Sequence, residues 1–244
     1  MQSRTAWWGE SPYLAWCQPA YRFLSKVEMS DLPSTPARSE THRAELSRIA
    51  AERFDLVMGR IDDANRADPT TIEIDGRLGP KELIHSQMVS AWVEKLHPNP
   101  SQALLLAARA HHIRRWTISR SSYPSGRKGY LRWRTDLQAF HANEAARILA
   151  ECGYEGVVAS RVGEIIRKHN LRNDPEVQAL EDALCLVFIQ MQLKDVADQL
   201  EAKVLENVLK KTWEKMSHKA RGYALALPLS EELQSTLLSA VSSA

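Results

Sequence analysis

Apolar residues recur at intervals of three and four along most of the chain after residue 41. The first such stretch carries, in order, Ala44, Leu46, Ile49, Ala50, Phe54, Val57, Met58 and Ile61. This spacing places the side chains on one face of an α-helix. The alternation typical of β-strands is almost absent, apart from a short extended piece and a turn in TTIEIDGRLGP. The pattern therefore predicts an all-α fold.

Local signals mark where further helices begin and end. Pro80 suits the first turn of a second helix, and Ser101 can cap a third that runs to a pair of histidines. A loop rich in Ser, Gly and Pro, SRSSYPSGRKGY, precedes the fourth helix. Asp174-Pro175 starts a later helix whose second half is nearly all apolar and is therefore expected to be central. We predict about seven to eight helices in a single compact domain over residues 41–244.

Residues 1–40 lack this periodicity. They mix Trp, Pro, Gly and Ser and end in the linker-like stretch SDLPSTPARSE. We predict a poorly ordered N-terminal tail, the alternative being that its aromatic residues dock on the core. Met29 stands just before the linker-like stretch and is an alternative start, which would leave residues 1–28 outside the native protein.

The basic residues are concentrated in one part of the chain. The formal net charge is only +2, so the total charge indicates no partner. No Asp or Glu occurs between Glu94 and Asp136, whereas this stretch contains Arg109, Arg114, Arg115, Arg120, Arg127, Lys128, Arg132 and Arg134. Such a block attracts anions. The alternative is an ordinary solvated face.

The cysteines and the apolar runs indicate a cytoplasmic protein with no membrane partner. Cys17, Cys152 and Cys185 are far apart and odd in number, which argues against a disulfide framework. No apolar run approaches the ~20 residues that a membrane span needs. The N-terminus also lacks the basic-then-apolar order of a signal peptide.

The candidate chemistry lies in histidines and carboxylates on separate predicted helices. Familiar signatures such as GxGxxG, GxxxxGK[ST], HExxH and GxSxG are missing from the sequence. What remains is His85, the doublet His111-His112, His141, His169, Glu181 and Asp182. Carboxylates in an apolar helix need partners. These partners are histidines of neighbouring helices, directly or through a divalent metal ion, or else Arg and Lys in purely structural ion pairs.

This order of residues, over about Pro80–Leu193, resembles the HD-type phosphohydrolases. The resemblance implies an HD-like helical fold in which His85, His112, His141 and Asp182 hold a divalent metal ion, with His169 where some members carry an extra histidine. The doublet departs from the family pattern, because it is His-His and not His-Asp. A carboxylate bridges two metal ions whereas a ring nitrogen binds one, so the resemblance allows a mononuclear site or a relative that binds without catalysing.

A longer resemblance covers nearly everything after Met29. The stretches ARAHHIRRW, YPSGRKGYLRWR, FHANEAARIL, DPEVQALEDALCLVF and KTWEKMS resemble the uncharacterised family called domain of unknown function 4202. The second histidine of the doublet is characteristic of that family and matches His112, which leaves open which of the two histidines faces the site. Some fungal members are labelled glutamyl-tRNA-synthetase-like, but the sequence has no nucleotide-binding signature of a synthetase.

The leading hypothesis is a metal-dependent phosphohydrolase acting on a nucleotide or another phosphorylated small molecule. Glu181 would orient or deprotonate the water, and Lys168 would contact phosphate. The predicted substrate-binding residues are Arg109, Arg115, Trp116, Tyr123, Arg127, Tyr130 and Arg134, with Trp133 as a further aromatic that could stack on a base. The alternatives are a non-catalytic RNA- or tRNA-binding protein that uses the same basic block, and a helical interaction protein whose polar cluster is structural.

Overall fold

The helical periodicity corresponds to ten α-helices in the described part of the chain, and the all-α prediction is confirmed. A computed structural model describes residues 36–74 and 76–242. The helices are α1 Pro36–Arg66, α2 Lys81–Leu96, α3 Gln102–Ala110, α4 Gly126–Glu151, α5 Gly156–Ile166, α6 Pro175–Met191, α7 Leu193–Gln199, α8 Ala202–Lys215, α9 His218–Leu225 and α10 Glu231–Ser242. Two 3₁₀ turns, Arg115–Thr117 and Arg120–Ser122, precede α4.

The helix count exceeds the predicted seven to eight because several helices are short. α7 has 7 residues and α9 has 8, too few to show a clear apolar repeat in the sequence. α4 begins at Gly126, inside the predicted loop, and α1 begins at Pro36, inside the predicted tail. Residues 1–35 of that tail lie outside the described residues.

The chain divides into two units, Met1–Ser47 and Arg48–Ala244. The core and the histidine cluster belong to the second unit, and the predicted domain boundaries of 41 and 244 stay a prediction. α6 is the central helix, as expected, and packs against α2, α3, α5, α7, α8 and α9. Val177, Leu180 and Leu186 on this helix are fully buried. None of the described helices combines the length and apolar character that a membrane span requires.

A β-hairpin connects α1 to α2 and fixes where α2 begins. Strands β1 Thr71–Ile74 and β2 Arg77–Pro80 pair in antiparallel fashion. Pro80 has no side-chain group that can cap α2, and the carboxylate of Asp68 accepts the N–H of Glu82 at 3.0 Å instead. The N–H of Lys81 also donates to the carbonyl of Thr70 at 2.8 Å. The two ends of the hairpin are thus joined at the first turn of α2.

Candidate metal centre

Two residues of α2 supply one side of a polar cluster. Glu82 and His85 are three positions apart, a spacing that places both on the same face of the helix. Both side chains are buried, at 7% and 3% exposure. Because Asp68 holds the N–H of Glu82, the start of α2 and its polar face have a defined position.

The end of α3 supplies the other side. Ser101 caps the helix by accepting the N–H of Leu104 at 3.1 Å. His111 is the C-terminal cap and His112 follows it in a turn. Arg114 then adopts a left-handed backbone, with φ of 52°, and its N–H donates to the side-chain oxygen of Asn65 at 3.2 Å. The chain therefore turns sharply just after both histidines.

The rings of His85, His111 and His112 lie together. Each offers one ring nitrogen, and these three atoms lie within 4.8 Å of one another. The rings of His85 and His112 stack with centroids 4.8 Å apart and planes inclined by 13°. The centroids of His111 and His112 are 4.2 Å apart. Three imidazole nitrogens at this separation can hold a metal ion.

Hydrogen bonds fix which nitrogen each ring presents. Nδ1 of His111 lies 2.9 Å from the carbonyl oxygen of Ala108, and Nδ1 of His112 lies 3.2 Å from Oε2 of Glu82. Carbonyl and carboxylate oxygens only accept, so both Nδ1 atoms carry the proton and both Nε2 atoms keep a lone pair. Metal-binding histidines are oriented by this kind of contact.

His141 of α4 adjoins the cluster and is oriented in the same way. Its Nδ1 donates to the carbonyl of Ile113 at 2.8 Å, and its ring centroid lies 5.7 Å from that of His112. Nε2 of His141, Nε2 of His111 and Nδ1 of His85 are all buried without a hydrogen-bond partner in the described part of the chain. Such atoms are rare in folded proteins, because an unpaired buried polar group is costly.

Burial keeps all four rings neutral near pH 7. It lowers the pKa of His85 and of His141 from 6.5 to about 4. Burial also lowers the pKa of His111 and of His112 well below the usual range, and neighbouring histidines lower both further. A neutral imidazole is the form that binds a metal ion.

One cation of the basic block, Arg115, borders the cluster. Its Nε lies 3.9 Å from Oε1 of Glu82, and its guanidinium carbon lies 4.7 Å from the ring centroid of Trp133. Burial lowers the pKa of Arg115. Its positive charge lowers the pKa of His85, His112 and His141. The cluster therefore lies in the field of a fixed positive charge.

A second cation reaches the cluster from the end of α5. The ammonium group of Lys168 contacts Oε2 of Glu181, and Nζ of Lys215 lies 3.4 Å from Oε1 of the same carboxylate. Burial raises the pKa of Glu181, but the two lysines outweigh this effect and the pKa is lowered. The charge of Lys168 also lowers the pKa of His112.

One comparison with known proteins identifies the family. A family model described as "Domain of unknown function (DUF4202)" matches residues 55–237. The chain belongs to the DUF4202 family. No curated protein and no solved structure matches it. These comparisons do not confirm the resemblance to HD-type phosphohydrolases or the fungal synthetase-like labels.

Two of the four predicted metal ligands of this DUF4202 protein, His85 and His112, belong to the group of three histidines. His141 lies beside that group. Asp182 has other partners, because its Oδ1 accepts from the amide of Gln178 at 2.9 Å and from the backbone N–H of Ser217 at 2.8 Å. Its predicted role as a ligand stays a prediction. The two predicted catalytic residues, Glu181 and Lys168, contact each other.

The predicted substrate-binding residues of the DUF4202 protein have different partners. Nε of Arg109 lies 3.3 Å from Oδ1 of Asp62 on α1, and the hydroxyl of Tyr123 donates to Asp136 at 2.9 Å. Trp116 lines a groove of about 450 Å³. Their roles in substrate binding stay predictions.

The remaining three, Arg127, Tyr130 and Arg134, lie on α4. Arg127 is exposed in the first turn of α4. Arg134 donates to the hydroxyl of Tyr130 at 3.4 Å, and its charge lowers the pKa of Arg115. Substrate binding by these three residues stays a prediction.

Sequence reasoning missed two residues of the DUF4202 cluster. His111 was not among the predicted ligands, because the sequence leaves open which histidine of the doublet faces inward. Glu82 was missed although a signal was visible: it precedes His85 by three positions, and glutamate and histidine at this spacing recur in helical metal sites. His169, by contrast, is exposed.

Proposed function

We propose that the protein is a divalent-metal-dependent phosphohydrolase acting on a nucleotide or another phosphorylated small molecule. The observation that supports this most is the convergence of the ring nitrogens of His85, His111 and His112 within 4.8 Å, next to the charges of Arg115 and Lys168. Three neutral ring nitrogens can coordinate a cation, and two fixed positive charges can bind an anion beside it.

The residues fit a transition-metal ion such as Zn²⁺. Catalytic zinc sites have three protein ligands and one open position, and imidazole is a common ligand in them. His112 is the half-buried member of the group, whereas His85 and His111 are buried, so a ligand approaches from the side of His112. Bound there, the ion would supply Lewis acidity and would lower the pKa of water towards neutrality.

The cations bind and orient the phosphate in this proposal. Arg115 is held by Glu82 and by the ring of Trp133, so its guanidinium needs little reorganisation to donate two hydrogen bonds to phosphate oxygens. Lys168 offers a point charge and is itself positioned by Glu181. Both charges neutralise the negative charge that grows on phosphate oxygens in the transition state.

The hydrolysis adds the oxygen of a water molecule to phosphorus and breaks the bond between phosphorus and the leaving oxygen, which takes up a proton. We assign the acceptance of a proton from the water to Nε2 of His141, which is buried, keeps its lone pair and has no partner in the described chain. Glu181 is less suited to this role, because both its oxygens already have lysine partners, Lys168 and Lys215.

Elemental analysis of protein purified without a metal-affinity tag tests the metal centre. We expect about one zinc, cobalt, nickel, manganese or iron atom per chain, and loss of this metal in the His111→Asn and His112→Asn variants. His169→Asn is the matched control, because His169 is exposed. A phosphatase screen on nucleotides and sugar phosphates follows with the loaded protein.

Two outcomes would contradict the proposal. A chain that holds no metal even after incubation with Zn²⁺ would favour a structural polar cluster. A metal-free chain that binds RNA with an affinity falling steeply with salt would favour the RNA-binding alternative, since each neutralised backbone phosphate adds to that slope.

A further inference from the structure

One face of α4 leads from the histidine cluster to the surface. Tyr130, Arg134, Gln138 and His141 follow one another at intervals of four, four and three, a spacing that aligns them along the helix. His141 is buried beside the cluster, Gln138 is half-buried, and Arg134 and Tyr130 are exposed. Arg134 lies seven residues before His141, or roughly 10 Å along the helix axis.

Arg134 has no carboxylate partner in the described chain, in contrast to Arg132 and Arg147 of the same helix. Arg132 pairs with Asp136 at 3.9 Å, and Arg147 pairs with Glu144 and Glu151. The polar contact of Arg134 is the hydroxyl of Tyr130, to which Nη1 donates at 3.4 Å. The guanidinium is therefore directed towards Tyr130 and away from His141, one turn further from the cluster.

Arg134 also adjoins another positive charge. Two aromatic rings connect Arg134 to Arg115. The guanidinium carbon of Arg134 lies 5.8 Å from the ring centroid of Tyr130, the centroids of Tyr130 and Trp133 are 6.0 Å apart, and the guanidinium carbon of Arg115 lies 4.7 Å from the centroid of Trp133. The carboxylate partner of Arg115 is Glu82, on the side of the cluster. Two neighbouring guanidinium groups with a carboxylate at only one of them repel each other, and an anion between them relieves the repulsion. Positive charge thus extends from Arg115, which borders the histidines, to Arg134.

We infer that Arg134 forms a second phosphate subsite, so that the substrate carries a chain of two or more phosphates and is not a simple monophosphate ester. This inference rests on the proposed function. A phosphate beside His112 and Arg115 does not reach a guanidinium that is directed towards Tyr130, whereas the next phosphate of a chain extends in that direction. The class this favours is a nucleoside diphosphate or triphosphate, or another organic diphosphate.

Calorimetric titration of the zinc-loaded full-length chain with orthophosphate and with pyrophosphate tests the inference. We expect pyrophosphate to bind about tenfold more tightly or better, which is the effect of one charge-assisted contact. Arg134→Gln should abolish this preference and leave orthophosphate affinity unchanged. Arg132→Gln is the control, because Arg132 is exposed on the same helix and pairs with Asp136. The zinc content of the protein is measured again after each titration, since pyrophosphate also extracts zinc.

The outcomes separate the two proposals. If the chain holds zinc and binds orthophosphate but shows no preference for pyrophosphate, or if Arg134→Gln keeps the preference, the second subsite is wrong and the phosphohydrolase proposal stands. If the chain holds no metal and binds neither anion, both proposals fail. A preference that only Arg134→Gln removes, in a variant with an unchanged melting temperature, supports the subsite.

Discussion

The ammonium group of Lys168 contacts the buried carboxylate of Glu181 from a left-handed backbone position. The φ angle of Lys168 is 58°. It follows the end of α5, where the N–H of Lys168 donates to the carbonyl of Ile165 and the N–H of His169 donates to that of Glu164. This pair of bonds ends many helices, usually with glycine in the left-handed position. A lysine there costs roughly 1–2 kcal/mol of backbone strain, and the contact of its side chain with Glu181 opposes this cost.

Replacing Lys168 with glycine separates these two contributions. Lys168→Gly relieves the backbone strain but leaves Glu181 with Lys215 alone, and we expect a net loss of about 2 kcal/mol in the free energy of unfolding. Asn170→Gly is the matched control, because Asn170 also has a φ of 58° and lies two residues away. We expect its stability to stay within about 1 kcal/mol of wild type. Urea unfolding at pH 7 measures both.

The pH dependence of that loss identifies its cause. In the wild type the pKa of Glu181 is lowered below its usual 4.5, so its ionised form stabilises the fold above that pH and the effect is lost as pH falls through the folded pKa. Without Lys168, burial prevails and the folded pKa rises. The difference between wild type and Lys168→Gly should therefore shrink from pH 7 to pH 5. A constant difference would mean that the ion pair is not its source.

The four neutral histidines predict a loss of stability in mild acid. In the folded chain the pKa values of His85 and His141 are about 4, whereas the unfolded chain protonates near pH 6.5. The unfolded state then binds more protons between these values, so stability falls as pH is lowered through this window. We expect roughly 1 kcal/mol per histidine between pH 7.5 and 5.5 in metal-free protein. In a His85→Asn variant the free energy of unfolding should depend less steeply on pH than in the wild type. An equal dependence would contradict the lowered pKa of His85.

Glu82 should tune the affinity of the cluster for metal. Its carboxylate accepts from Nδ1 of His112 at 3.2 Å, which fixes the ring and makes Nε2 a better donor. Changing such an outer partner typically costs ten- to a hundredfold in metal affinity, and we expect Glu82→Gln to fall in that range. Glu94→Gln, exposed on the same helix, is the control. Competition with a chromophoric zinc chelator measures the zinc affinity of both variants. If the two affinities are equal, Glu82 does not contribute to metal binding.

The contacts of Asp182 predict that it stabilises the fold without binding metal. Its Oδ1 accepts from Gln178 and from the N–H of Ser217, where α9 begins. Asparagine retains an oxygen for these contacts, so Asp182→Asn should lose about 1 kcal/mol of stability and keep its metal. A variant that loses metal at wild-type stability would restore Asp182 as a ligand.

The sequence was sufficient for the fold class and for part of the cluster. The nearly all-apolar second half of α6 predicted a central helix, and the burial of Leu186 and Val187 confirms it. The histidines of α2 and after α3 were recognised as candidates because the carboxylates Glu181 and Asp182, in an apolar helix, need partners. His85 and His112 do lie within one group.

The other features of the site depend on contacts between distant parts of the chain, which leave no signal in the local sequence. Both histidines of the doublet reach the cluster through the turn after α3, where Asn65 of α1 accepts the N–H of Arg114. The partner of Asp182 is the start of α9, a helix too short to show periodicity in the sequence. Both contacts join positions 35 or more residues apart, so the residues around Asp182 and Arg114 do not reveal them.

The three histidines of the centre come from α2 and from the turn that directly follows α3, the next helix along the chain. An ion bound there would link positions 85 and 111, which enclose a short loop, and the closure entropy of such a loop is small and grows only slowly with length. The site can therefore assemble early during folding, before α4 to α6 dock, in contrast to sites built from distant parts of a chain. Metal supply would then influence how fast the newly made chain reaches its native state as well as the activity that we propose for it.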